Sequence, residues 1–159
     1  METKTSLKSY FLHPGGLFVN RDESVIRTVL GSCISVCLWD QVLKYGGMNH
    51  YMLALWNGEG LPSPRYGNIA IPKLIEKMIE LGSSTQNIQA KVFGGAAVIR
   101  GPGSVLNIGT RNIMLAKDML EKEGIPIVSS DVDGNSGRKI LFNTKTGRVL
   151  LKKISKNFE

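Results

Sequence analysis

Two cysteines and two histidines are all that this 159-residue chain has of the side chains most often used in covalent or metal chemistry. Cys33 and Cys37 stand four apart, and on a strand their Cα atoms would lie roughly 13 Å from each other, beyond disulfide reach. Free thiols suit a reducing compartment. Cys-x2-Cys and His-x3-His pairs are missing, so a zinc site built from Cys33, Cys37, His50 and His13 has little spacing to support it. No run approaches the roughly 18 consecutive apolar residues of a membrane span. Met1 to Ser9 is polar, with Lys4 and Lys8, and lacks the apolar stretch of a signal peptide. A soluble, cytoplasmic protein is expected. Neither Gly-x4-Gly-Lys-Ser/Thr nor Gly-x-Gly-x-x-Gly occurs, so a phosphate cradle has no support. Internal repeats, low-complexity tracts and linkers are absent as well.

What is present is enough chain for one real core. With 42% apolar residues, positions 1–159 read as a single domain, with a polar leader at 1–9 and a polar tail at 155–159. The net charge is +7 and the pI about 9.5, which raises the question of an acidic partner. Lys139, Lys145, Arg148, Lys152, Lys153 and Lys156 enrich the C-terminal part, but without a run or interleaved aromatics. A solvated surface is therefore favoured over nucleic-acid contact, and an acidic protein surface would be attracted equally well.

The chemistry centres on Gly31-Ser32-Cys33 and Gly46-Gly47-Met48-Asn49-His50. Ile34, Val36 and Leu38 alternate with Cys33, Ser35, Cys37 and Trp39, the pattern of a half-buried strand. Tyr45 to Leu53 forms a second strand, and Asp40 to Lys44 is short enough for a hairpin loop. A hairpin centred between Gln41 and Val42 sets Cys33 directly opposite His50. A shift of two residues leaves them diagonal on one face, and a slip of one parts them onto opposite faces. A thiol has a pKa near 8.5, and an adjacent imidazole can take its proton and keep an ion pair. The glycines before Cys33 leave room for a substrate, Gly46-Gly47 does the same on the histidine side, and backbone N–H groups around Cys33 face a developing oxyanion. Packing is the competing role for these residues: small buried thiols and a satisfied core histidine.

The rest of the chain reads as strands and two helices. Short strands are expected near Phe11-Leu12 and Gly16 to Val19 with a turn at His13-Pro14-Gly15, and another over Val25 to Val29. A helix over Asn68 to Leu81 carries Ile71, Leu74, Ile75, Met78 and Ile79 inward. Pro72 sets its start near Ile71 or allows a kinked turn upstream. Ile88 to Phe93 is a strand stopped by Gly94-Gly95, a pair suited equally to lining a site and to close packing. Gly101-Pro102-Gly103 is a loop. A second helix over Asn107 to Glu123 turns Ile113, Ala116, Met119 and Leu120 inward and ends at Gly124. Ile125 to Ser129 is an edge or starting strand, Asp131 to Arg138 a polar loop, and Lys139 to Asn143 with Arg148 to Ile154 a hairpin whose Gly147 takes positive φ. Seven strands to two helices, mostly antiparallel, give an α+β class: a mixed α/β sandwich with helices on sheet faces.

Leu30 to Asp40, Gly46 to Leu53, Phe93 to Ala96, Asn107 to Asn112, and Gly137 to Ile140 with Thr146-Gly147 occur in an order that resembles the CheD family of bacterial chemoreceptor glutamine deamidases. By that resemblance Cys33 is the nucleophile and His50 its general acid/base, with a threonine shortly upstream as third member. Thr28 is the only candidate, and a register one residue earlier would place Arg27 there. The resemblance implies the fold of deamidating toxins of the cytotoxic necrotizing factor type and no metal or cofactor. It implies methyl-accepting chemotaxis receptors as substrates and the CheC phosphatase as a regulatory partner. Asp131-Val132-Asp133-Gly134 departs from the family, where a glycine pair tends to follow the acidic residue. A receptor methylesterase, or a non-catalytic regulator of CheC, are the alternatives.

Overall fold

A computed structural model describes residues 7–97 and 108–154. Nine strands and two α-helices occur among them: β1 Lys8–Phe11, β2 Leu17–Asn20, β3 Ser24–Leu30, β4 Ile34–Asp40, β5 Tyr45–Asn49, α1 Gly67–Glu80, β6 Ile88–Gly94, α2 Ile108–Lys122, β7 Ile127–Val132, β8 Gly137–Asn143 and β9 Val149–Ile154. The strands make two mixed sheets, one of order β1-β3-β8-β9 and one of order β2-β5-β4-β6-β7. Only β1–β3 and β6–β7 pair in parallel. The α+β class with mostly antiparallel neighbours is thus as expected. Neither described helix is long and apolar enough to cross a membrane. Gly101-Pro102-Gly103, Asn107 and the ends of the leader and tail lie outside the described residues.

Three layers result, because both helices cover the same face of the five-stranded sheet. Ile34, Val36 and Leu38 of β4 pack on that face with Ala70, Ile71, Leu74 and Met78 of α1 and Ile113, Ala116 and Leu120 of α2. The opposite face meets the four-stranded sheet: Cys37, Met48 and Phe93 pack with Ile26, Leu30, Ile140 and Phe142. β4 is therefore buried on both sides, not half-buried. In its second row Ser35 and Cys37 are small and weakly polar, which lets a second sheet close over them, and Trp39 packs half-buried at the end of the row.

Several boundaries differ from the sequence expectation for local reasons. Lys8 and Ser9 belong to β1 rather than to a leader, and β1 and β2 enter different sheets. Helix α1 keeps its expected span to within a residue and takes the upstream turn that Pro72 left open, starting at Gly67, so that Pro72 forgoes one intrahelical bond inside the helix. Asp131 and Val132 end β7, and Gly137 and Arg138 open β8, so the polar loop is shorter than expected. Asp133 (φ 72°) and Gly134 (φ 77°) are both left-handed, a conformation that glycine adopts freely and aspartate tolerates. The buried Arg138 guanidinium organises this turn, donating to Asp131 Oδ1 at 2.8 Å and to the Asp133 carbonyl at 2.7 Å.

The Gly94-Gly95 pair serves close packing against the cysteine segment. Gly94 has φ 112°, and a Cβ there would collide with the Cys33 carbonyl oxygen. Gly95 N–H donates to that same oxygen at 2.9 Å, and Ala96 N–H to the Gly31 carbonyl at 3.0 Å. Gly94→Ala is expected to lower the unfolding free energy by about 2–4 kcal/mol, read as a lower urea midpoint at unchanged slope.

Candidate active site between the sheets

The hairpin β4–β5 sets the register at the site. Asp40 pairs with Tyr45 and Cys37 with Met48, so the turn is Gln41 to Lys44 and the hairpin is centred between Val42 and Leu43. Asp40 had been expected in the loop. Its backbone instead closes the ladder, while its Oδ1 accepts Val42 N–H and Leu43 N–H, each at 2.8 Å. Lys44 completes the turn in a left-handed conformation, φ 58°. The two-residue shift makes Ser35 the partner position of His50 and Met52 that of Cys33. Cys33 and His50 are therefore diagonal neighbours on one face, where such pairs stand about 7–8 Å apart.

β5 ends before His50, and the ladder is irregular around it. Asn49 Oδ1 accepts Val36 N–H at 2.8 Å, a side chain standing in for a backbone partner. Pairing resumes at one position only, Ile34 with Tyr51, where Ile34 N–H donates at 3.1 Å and Tyr51 N–H at 2.9 Å. The turn before β2 holds the His50 backbone: Gly15 N–H donates to its carbonyl at 2.8 Å and its own N–H donates to Gly16 at 3.2 Å. Gly46 and Gly47 lie farther back in β5, and a Cβ on them would meet Phe142 and Val19. They permit close packing rather than the substrate approach expected of them.

Thr28 comes to this place from the other sheet. Its Oγ1 donates to the Leu12 carbonyl at 2.6 Å and lies 2.7 Å from His50 Nδ1. A hydroxyl has one hydrogen, and so short an approach to a carbonyl oxygen requires that hydrogen between them. Oγ1 must then accept from Nδ1–H. In the neutral ring this tautomer leaves Nε2 with its lone pair, and Nε2 has no hydrogen-bond partner among the described residues. Arg27, one residue earlier, points to the outer side of β3, its guanidinium over Phe11, so the one-residue register ambiguity resolves to Thr28 as the neighbour of His50.

Burial between the sheets sets the charge state. It pushes His50 down from 6.5 to about 4, against a raising contribution from the Leu12 carbonyl. It raises the Cys33 thiol above its ordinary value, partly opposed by a backbone hydrogen bond. Both directions favour the uncharged form of each group taken singly, because the inter-sheet layer desolvates them. Cys37 is fully buried and its thiol is raised further, the behaviour of a packing residue. His13 is exposed in its turn with its ring edge-on to Phe11. No group of three His, Cys, Asp or Glu placed to hold a metal occurs among the described residues.

Sequence reasoning assigned no role to Asn49 or Asn112, both fully buried at the site. Asn112 did carry a signal: it interrupts the inward row Gly109, Ile113, Ala116, Leu120 of α2 with an amide. A polar group on an apolar helical stripe needs partners.

Comparison with known proteins places these features in context. The family model described as "CheD chemotactic sensory transduction" matches residues 52–153, a stretch that begins just after His50. A protein of Trichlorobacter lovleyi named "Probable chemoreceptor glutamine deamidase CheD" is 50% identical over 145 residues, covering 91% of this chain and 90% of its own. Its namesake in Sulfurimonas denitrificans is 47% identical over 148 residues, 92% of this chain and 94% of the relative. One from Rhodospirillum rubrum is 43% identical over 149 residues, with 94% and 84% covered.

Two measurements test the electrostatics. Nitrogen-15 NMR of the histidine rings should find His50 as the Nδ1–H tautomer at pH 7, titrating near 4; an Nε2–H tautomer would contradict the Thr28 assignment. Between 6.5 and about 4 the unfolded chain binds a proton at His50 that the folded chain does not. Stability should therefore fall with falling pH across that window, by up to about 1.4 kcal/mol per unit. His50→Asn should remove this part of the slope in urea titrations.

Proposed function

This chain belongs to the CheD family, and on that premise we propose that it deamidates glutamine side chains of chemoreceptors, forming glutamate and releasing ammonia. The observation that carries the mechanism is the Thr28–His50 bond, which leaves Nε2 unprotonated and without a hydrogen-bond partner among the described residues, on a residue diagonal to Cys33. As Cys33 Sγ attacks the side-chain carboxamide carbon, its proton passes to Nε2. Backbone N–H groups around Cys33 receive the tetrahedral oxyanion. The imidazolium, transiently held by Thr28 through Nδ1–H, returns the proton to the departing nitrogen. Ammonia leaves and a glutamyl thioester remains. Neutral His50 then takes a proton from water, which hydrolyses the thioester and restores the thiol.

Burial disfavours charge on either group, so in this scheme the thiolate and imidazolium form only as the substrate arrives and excludes water. Thr28 is a positioning residue: it fixes the tautomer and ring orientation without touching the substrate. The catalytic fold of cytotoxic necrotizing factor-type toxins belongs to the same reading, as do a single domain over 1–159, a cytoplasmic location, methyl-accepting receptors as substrates and CheC as a regulatory partner.

The test uses a receptor cytoplasmic fragment incubated with native protein and with Cys33→Ala, followed by peptide mass spectrometry and separate assays for ammonia and methanol. Amide-to-acid conversion at defined glutamines, with stoichiometric ammonia, is expected with native protein alone. Methanol without ammonia would make the protein a methylesterase, and equal conversion by Cys33→Ala would remove the catalytic role of the thiol. Thr28→Val should lower kcat by roughly tenfold to a hundredfold, as removal of an orienting partner does.

A further inference from the structure

We propose that Asn112 is a positioning residue of the active site, holding the Cys33 and His50 strands at a fixed separation where their own ladder has failed. This inference rests on the proposed thiol–imidazole chemistry. Ile34 and Tyr51 exchange the last pair of backbone bonds between the two segments. In an antiparallel ladder the next bonded pair would be Ser32 with Leu53, Leu53 N–H donating to the Ser32 carbonyl. Leu53 N–H instead turns away to Arg65, as does Met52 N–H, and the Leu53 carbonyl accepts Gly67 N–H. The strands therefore part at the position of Cys33.

The side-chain amide of Asn112 spans the gap. Its Nδ2 donates to the Ser32 carbonyl at 2.9 Å and to the Met52 carbonyl at 3.0 Å. Ser32 precedes Cys33, and Met52 is both the partner position of Cys33 and the second residue after His50. Two acceptor carbonyls fix which end of the amide is nitrogen. The residue is held from its own helix too, because Tyr51 Oη donates to the Asn112 backbone carbonyl, while the side-chain Oδ1 has no partner among the described residues. It is fully buried, so this bridge is made without water. On the other side of the cysteine segment, Gly95 and Ala96 bind the Cys33 and Gly31 carbonyls. The carbonyls of Gly31, Ser32 and Cys33 are thus each occupied, and the segment has one position relative to the imidazole.

The parting of the strands and the bridge across it have a joint effect. A continuing ladder would close the backbone beside Cys33, whereas a splay without Asn112 would let the thiol drift from Nε2. A displacement of an ångström between nucleophile and base is enough to cost about a hundredfold in rate.

The test compares Asn112→Ala and Asn112→Ser with Leu120→Ala, a change farther along α2 that removes buried core but no bridge. Two rates are read at matched folded fraction: kcat and KM for deamidation of a receptor fragment, and carbamidomethylation of Cys33 by iodoacetamide from pH 5 to 9. Expected for Asn112→Ala is a drop in kcat of about tenfold to a hundredfold with KM within about twofold. Its alkylation profile should move toward that of the His50→Asn protein. Asn112→Ser, which keeps one donor, should fall between, and carries the comparison alone if the alanine variant does not fold. Leu120→Ala should lose stability yet keep native kcat and alkylation. Native rates in both Asn112 variants, or equal losses in Leu120→Ala, would overturn the proposal. Alkylation needs no receptor, so a failure of the deamidase reading shows up as absent deamidation with the Asn112 effect on the thiol intact.

Discussion

A hydrogen bond that crosses from one sheet to the other, from His50 Nδ1 to Thr28 Oγ1, is the contact on which the rest of the site depends. Thr28 lies on the inner face of β3, and His50 follows β5 of the opposing sheet, so the bond exists only when the sandwich is closed. Apolar packing of Ile26, Leu30, Ile140 and Phe142 against Cys37, Met48 and Phe93 brings the two faces to that distance. The same packing desolvates the imidazole and the thiol. Geometry, tautomer and charge state thus share one origin, and a loosened sandwich would alter all three together.

The five-stranded sheet serves two neighbours at once. Toward the helices it presents Ile34, Val36 and Leu38, and toward the second sheet the smaller row that includes Ser35 and Cys37. Helix α2 takes part in both tasks, since Ile113, Ala116 and Leu120 seal the core while Asn112, on the same stripe, reaches the backbone around Cys33. The segment carrying Cys33 is therefore fixed by a helix, by the glycine pair at the end of β6 and by a strand. None of these anchors relies on a charged group at the surface, which makes the arrangement insensitive to ionic strength.

Alternation and helical spacing made most elements legible in the sequence: β4, both helices and the β8–β9 hairpin with its left-handed Gly147 stand where those patterns put them. Local polar contacts account for the departures. Asp40, placed in the loop by the sequence reading, caps the turn from the last strand position, which moves the hairpin register by two. Burial of β4 on both sides depended on a second sheet that alternation within one strand cannot announce. The ordered motifs bring Cys33, His50 and Thr28 forward together, but the desolvation that disfavours charge on the thiol and the imidazole follows from depth in the sandwich, which no spacing encodes. Asn112 was visible only as a polar interruption of an apolar stripe, and its partners became clear once the strands were seen to diverge.

The turn from Gln41 to Lys44 is remote from the chemistry and exposed, and most substitutions in it would touch nothing that matters. Its length is another matter. Strand side chains alternate with a period of two, so a change of length there has to be absorbed within the turn: passed on to the ladder as a one-residue slip, it would move every later position of the hairpin to the opposite face and send His50 toward the helices. Left-handed Lys44 apart, this surface loop is therefore freer in composition than the ladder it closes is in register.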